Sequence, residues 1–126
     1  MFSGHWTLRG YGTWAVEETA TGAMVGRIGL HNPEGWPGLE VGWTLARSVW
    51  GLGYATEGGR ASIEFAWNEL GADRVISIID PENKRSIAVA ERLGETYDRA
   101  YRLRGRPVSI YRIDRPDGSA WREGRA

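Results

Sequence analysis

Residues 39–46 alternate without a break. Leu39, Val41, Trp43 and Leu45 are apolar, while Glu40, Gly42, Thr44 and Ala46 are small or polar. A period of two is that of a half-buried β-strand. Upstream, Trp14-Ala15-Val16-Glu17-Glu18 and Met24-Val25-Gly26-Arg27-Ile28-Gly29-Leu30 read as the arms of a hairpin turned at Thr21-Gly22. His31-Asn32-Pro33-Glu34-Gly35-Trp36-Pro37-Gly38 is punctuated by proline and glycine and reads as a loop. Three strands of a meander are therefore expected ahead of residue 47.

From Ala55 the period lengthens. Gly59, Ile63, Ala66, Trp67 and Leu70 fall on one helical face, and Glu57, Arg60, Glu64 and Asn68 lie largely elsewhere. Gly71 is a natural stop. Arg74-Val75-Ile76-Ser77-Ile78-Ile79-Asp80 is short and β-branched, as a buried strand is. Strand, turn, helix and strand over 39–79 make a right-handed βαβ crossover with two parallel strands. Asp80-Pro81-Glu82 turns into a second helix, capped by Asn83, with Ile87, Ala90 and Leu93 inward and Gly94 at its end. Two more strands are expected at 95–103 and 108–114, joined by Arg104-Gly105-Arg106-Pro107. A polar, loosely held tail follows over 115–126. The whole reads as one domain, 1–126, with its core in 14–114.

Composition narrows the chemistry. Sixteen basic residues balance sixteen acidic ones, so nothing draws the chain to nucleic acid. The absence of cysteine removes disulfides, thiolate catalysis and cysteine-ligated zinc. No apolar run approaches the roughly 18 residues of a membrane span, and Met1-Phe2-Ser3-Gly4 resembles no signal peptide. The expectation is a cytoplasmic protein without a membrane partner.

The junction between strand and helix is the most specific feature. In Trp50-Gly51-Leu52-Gly53-Tyr54-Ala55-Thr56-Glu57 two glycines permit a tight turn and a close approach of backbone N–H groups to a ligand. The helix start beyond them adds unpaired N–H groups and a positive dipole end. Together they suit a phosphate or pyrophosphate. A P-loop would need Gly-Lys-Ser/Thr, which the chain lacks. The dinucleotide fingerprint would need a third glycine or alanine where Thr56 stands, and antiparallel strands precede this turn.

These letters, with Asp80-Pro81-Glu82-Asn83-Lys84-Arg85-Ser86 and Ala90-Glu91-Arg92-Leu93-Gly94, resemble the GCN5-related N-acetyltransferases (GNAT). The branch that includes the ribosomal-protein N-terminal acetyltransferases is the nearest, and Gly26–Leu30 and Glu40-Val41-Gly42-Trp43 fit it too. The resemblance covers about 14–114. It implies a mixed, mostly antiparallel sheet with a central βαβ crossover and a splayed parallel strand pair. The family's opening strand and two helices have no counterpart here, so an N-terminally truncated fold is expected. The usual Gln or Arg that opens the acetyl-CoA motif falls at Ser48.

The resemblance also implies acetyl-CoA as the donor, an amine acceptor (a protein N-terminus or a small molecule) and no metal. By carry-over, Val49, Gly51, Leu52, Gly53, Tyr54, Ala55 and Thr56 cradle the pyrophosphate. The pantetheine arm lies between the splayed strands against the backbone of Trp43, Thr44 and Leu45, and a bulge in the first of these strands commonly opens the gap. Asn83 and Ser86 reach the arm and its sulfur, and Ser86 assists the departing thiolate; plain N-capping is the other reading. Direct transfer requires a general base. Glu40 is the leading candidate, against a surface carboxylate. His31 follows because imidazole exchanges protons near neutrality, against a solvated loop residue. Tyr111 is a distant third. The rival to an enzyme is a non-catalytic CoA-binding or assembly module. A sheet edge left open at Trp14–Glu18 predicts a homodimer, with Trp6, Trp14 and Trp36 as candidate contact residues.

Overall fold

The computed structural model describes residues 4–9, 13–18, 24–32, 35–47, 50, 51 and 53–116, with side chains from Gly26 onward. Seven strands form one sheet in the order β1-β2-β3-β4-β5-β7-β6. In chain order these are β1 Gly4–Arg9, β2 Thr13–Glu18, β3 Met24–His31, β4 Glu40–Leu45, β5 Arg74–Ile79, β6 Thr96–Leu103 and β7 Arg106–Asp114. Helix α1, Tyr54–Asn68, joins β4 to β5, and α2, Lys84–Arg92, follows β5. Every neighbouring pair is antiparallel except β4 and β5.

The alternation in β4 and the apolar stripe of α1 meet in the core. Ile63, Ala66 and Trp67 of α1 pack on Leu30, Val41 and Val75 of the central strands. Val89 of α2 and Leu93, the residue that ends it, close the same cluster. Ile63, Leu30 and Val75 are wholly buried, and each such side chain contributes about 1.5–3 kcal/mol by leaving water. The helices approach closely because Gly59 lacks a Cβ: one built there would stand 2.8 Å from Leu93 Cδ1. Gly71 and Gly94 follow the two helices at positive φ, as helix-ending residues.

Four expectations need correction. The edge at Trp14–Glu18 is not open, because β1 pairs along all of β2, from Gly4↔Glu18 to Arg9↔Thr13. The signal was present: Trp6 and Leu8 alternate with His5, Thr7 and Arg9, a period of two in a short segment. His31 ends β3 and pairs with Glu40, so it belongs to the sheet and not to the loop. The last hairpin turns on Arg104 and Gly105 alone, both at positive φ, and Pro107 lies within β7 opposite Arg102. No bulge interrupts β4 against β3, where the register runs evenly from Gly26↔Leu45 to His31↔Glu40. The splay must have another origin. The turn at Thr21-Gly22, the side chains of Trp6 and Trp14, and the tail beyond 116 lie outside the described residues.

Candidate active site

The parallel pair β4/β5 begins as an ordinary ladder and then stops. Ile76 N–H donates to Leu39 O at 2.9 Å, and Glu40 stands opposite Ile76. Parallel ladders continue two residues on, so Ile78 N–H should donate to Val41 O. Each of those groups instead takes a side chain. Ile78 N–H donates to Glu40 Oε2 at 3.3 Å, and Ser77 Oγ lies 3.0 Å from Val41 O. The missing ladder bond is replaced by a carboxylate on one strand and a hydroxyl on the other. Beyond this point Trp43, Thr44 and Leu45 have no β5 partner.

Glu40 is 8% exposed. The surface reading of its carboxylate therefore fails: its strand lies inside the sheet, and the loop ahead of it folds over it. Trp36 Nε1–H donates to Oε1 at 2.9 Å, and His31 Nε2 lies 2.9 Å from the same oxygen. Burial pushes the Glu40 carboxyl above its usual range, against the opposing pull of Trp36, His31 and the Ile78 amide. Two donors fill Oε1, and Ile78 takes one position on Oε2, which leaves a lone pair of Oε2 for a proton. Gly42 keeps the approach open, since a Cβ there would stand 3.7 Å from Oε2.

A cavity of about 440 Å³ is lined by Glu40, His31, Gly42, Asp80, Asn83 and Ser86. A larger cleft of about 1300 Å³ lies between α1 and α2. Trp43, Thr44, Asn83 and Ser86 border both. Trp43 Nε1–H donates to Ser86 Oγ at 3.1 Å, joining β4 to the start of α2 where the two spaces meet. Accepting that bond leaves the Ser86 hydroxyl proton for another acceptor. Asn83 caps α2, its Oδ1 accepting from Ser86 N at 3.1 Å.

The floor of the large cleft is the glycine turn. Gly51 and Gly53 have φ of 84° and 85°, and no atom lies within 4 Å of where a Cβ would stand on either. Gly53 is the N-cap of α1, and no side chain caps this helix. The first-turn N–H groups of Ala55 and Thr56 have no intrahelical acceptor, which is the geometry of an anion site. Lys84, Arg85, Arg60 and Arg92 line the same cleft and outnumber the two carboxylates there, Glu57 and Glu64, leaving it positively charged. The Arg85 guanidinium lies 4.2 Å from the centre of the Trp50 ring, a cation–π contact. A cradle of bare backbone with a cationic wall fits a pyrophosphate-bearing ligand such as coenzyme A.

Among the sequence candidates, Glu40 and His31 are in contact in the lining of the smaller cavity, and so are Asn83 and Ser86. Trp43, Thr44, Leu45, Gly51, Gly53, Tyr54, Ala55 and Thr56 all line the larger cleft. The Leu45 carbonyl is already engaged, accepting from Trp50 Nε1–H at 3.0 Å. Val49 and Leu52 lie outside the described residues. Tyr111 packs edge-on against Tyr97, with Ile79 and Ala90 beside it, and lines neither space. Trp36, Ser77 and Glu95 were missed. Trp36 sits in an irregular loop with no period to read. Ser77 did carry a signal, a hydroxyl amid Val75, Ile76, Ile78 and Ile79.

Residues 1–96 match the family described as the acetyltransferase (GNAT) domain, and the chain belongs to that family. It is 36% identical over 107 residues to the uncharacterized protein YkkB of Bacillus subtilis, covering 82% of this chain and 62% of YkkB. The structure of an acetyltransferase from Agrobacterium tumefaciens matches with a TM-score of 0.74 at 34% identity, over 84% of this chain and 62% of that one. The aminoglycoside acetyltransferase AAC(6')-Ib, solved in complex with coenzyme A, shares the fold with a TM-score of 0.72 at 21% identity, over 90% of this chain and 70% of that one. The chain thus spans about three fifths of the length of the first two.

Proposed function

We propose that the chain is an acetyl-CoA-dependent N-acetyltransferase that moves the acetyl group directly to a primary amine. The observation that carries this reading is Glu40: a buried carboxylate at the head of the splayed strands, in a cavity that joins the glycine-cradled cleft. The coenzyme A held by a same-fold enzyme supports the choice of donor. Acetyl-CoA would supply the acetyl group as a thioester. The N–H groups after Gly53 and the basic residues of α1 and α2 take the phosphates, and the unpaired edge of β4 at Trp43 and Thr44 takes the pantetheine amides.

An amine at physiological pH arrives protonated and must lose a proton to become a nucleophile. Glu40 Oε2 accepts that proton, directly or through one water, and its raised basicity suits the task. The new C–N bond forms as the C–S bond breaks, the surplus proton on nitrogen passes to the departing thiolate, and the Ser86 hydroxyl, polarised by the Trp43 bond and the α2 dipole, donates a hydrogen bond to that sulfur. His31 and Trp36 hold the Glu40 carboxylate in place.

The acceptor is a primary amine, either a protein α-amine, as in the ribosomal-protein branch that the motifs resemble, or a small molecule. An acceptor screen with thiol release as readout separates these. Coenzyme A binding without acceptor-dependent release returns the chain to a non-catalytic module. With an acceptor found, Glu40→Gln should lower kcat/KM by about 10²–10⁴-fold and remove the acid limb of its pH profile. An unchanged profile dismisses Glu40 as base. The homodimer acquires a different basis, since β1 and not β2 is the edge strand. Pairing of two β1 edges is its route, and light scattering at micromolar concentration reads it; a monomer removes it.

A further inference from the structure

Glu95 is a second buried carboxyl, 2% exposed, and the chemistry above does not use it. It follows α2 and Gly94, its N–H donating to Ala90 O, and precedes β6. Its Oε2 lies 3.0 Å from Ser77 Oγ, which is also 3.0 Å from Val41 O. A hydroxyl has one proton, and it cannot serve both acceptors. If Glu95 were ionised, one of two buried oxygens would go without a donor, which is costly in the interior. Both contacts are satisfied together when Glu95 carries the proton: Glu95 donates to Ser77, and Ser77 donates to Val41 O.

We propose that Glu95, as a neutral carboxylic acid, is a positioning residue for the acyl-transfer site, sending a hydrogen-bond relay through Ser77 to the Val41 carbonyl and so fixing the gap between β4 and β5. The inference rests on the acetyltransferase reading for its functional meaning. Val41 is next to Glu40, and the relay reaches the other half of the ladder bond that Glu40 replaces. One side-chain bridge enters from each strand, and together they hold the gap at its apex.

The surroundings favour the neutral form. Burial pushes the Glu95 carboxyl up to about 8; the Ser77 contact opposes this, and the nearby Glu40 charge adds to it. Of the titratable groups on the surrounding elements, Glu40 of β4 is the one whose charge acts on it; Tyr111 of β7 stands opposite both Ser77 and Tyr97 in the sheet. From α2, Val89 is buried in the cluster of Val41 and Val75, and Ala90 in that of Ile79 and Tyr111. No basic side chain is among the described groups that act on it. When pH rises through about 8, Glu95 loses its proton, Ser77 turns its own toward the carboxylate, and Val41 O is left bare beside a second negative charge.

Two measurements test this. Carbon-13 NMR of labelled glutamate side chains should show one carboxyl titrating near pH 8 that disappears in Glu95→Gln. If the signal lost in Glu95→Gln titrates in the ordinary carboxylate range, the relay is wrong. Acetyl-CoA affinity is then compared on the acid and alkaline sides of about pH 8. It should fall roughly tenfold in the wild type, stay level in Glu95→Gln, whose amide donates at every pH, and be weakened at both in Ser77→Ala. Parallel pH dependence in wild type and Glu95→Gln overturns the positioning role. Wild-type protein that binds no acetyl-CoA at any pH overturns the acetyltransferase reading instead, and the NMR titration still judges the relay.

Discussion

Three donors converge on the two oxygens of Glu40, and Gly42 leaves the remaining side of Oε2 open. Such an arrangement keeps a buried carboxylate solvated by the protein while sparing one position for an incoming proton. Gly42→Ala tests the spared position. Its Cβ would meet Oε2 at 3.7 Å and His31 Cε1 at 3.8 Å, ordinary contact distances, so stability should change by less than about 1 kcal/mol. Turnover should fall at least tenfold, because the methyl group occupies the place of the amine or water. Wild-type turnover in a folded Gly42→Ala protein would put the proton transfer elsewhere. The sequence marked Glu40 because a carboxylate alternating with apolar residues is conspicuous. It could not mark the Trp36 indole, whose position depends on how the Pro37-Gly38 turn folds back over β4.

Both helices begin at the cleft, and they begin differently. Asn83 caps α2 with its side chain, whereas α1 starts at Gly53 with no side-chain cap and with nothing within 4 Å of where a Cβ would stand. The missing cap on α1 leaves the N–H groups of Ala55 and Thr56 for a ligand; the cap on α2 sets the rotation that aims Ser86 at Trp43. Asn83→Ala should cost about 1 kcal/mol in chemical denaturation and should also weaken acetyl-CoA binding, since α2 frays where the cleft begins. A stability loss with unaltered binding would confine Asn83 to capping. The elements themselves were legible in the periods, two in β4 and 3.6 in α1, and in the glycines that end both helices. The mechanism of the splay was not, because it lies in a ladder bond exchanged for contacts between Glu40, Ser77 and two backbone groups. β1 was overlooked for a different reason: six residues with only two apolar ones give a weak alternation beside the turn-like Gly10-Tyr11-Gly12.

At the level of the molecule, two buried carboxyls, Glu40 in the sheet and Glu95 just ahead of β6, lie near a single strand gap, and this shapes how stability depends on pH. The Glu95 carboxyl is raised from 4.5 to about 8 in the folded chain, so between those values the folded state holds a proton that the unfolded state has released. The Glu95 contribution to stability is then complete below pH 4.5 and is lost progressively as pH rises to about 8. From pH 4.5 to 7 this linkage amounts to about 3 kcal/mol for a fully buried group. Glu95→Gln should accordingly unfold at higher denaturant concentration than the wild type at pH 7, and the two midpoints should converge near pH 4.5. A variant no more stable at pH 7 would mean that Glu95 ionises without strain. The described fold also contains no helix long and apolar enough to cross a membrane. Its large cleft is the feature on which the functional account depends, and acetyl-CoA titration by calorimetry reads it most directly. The account predicts saturable binding at one site per chain, abolished in a folded Gly53→Val variant whose branched side chain is strained at φ 85° and fills the cradle. No heat of binding at millimolar acetyl-CoA, or equal binding by Gly53→Val, would contradict it.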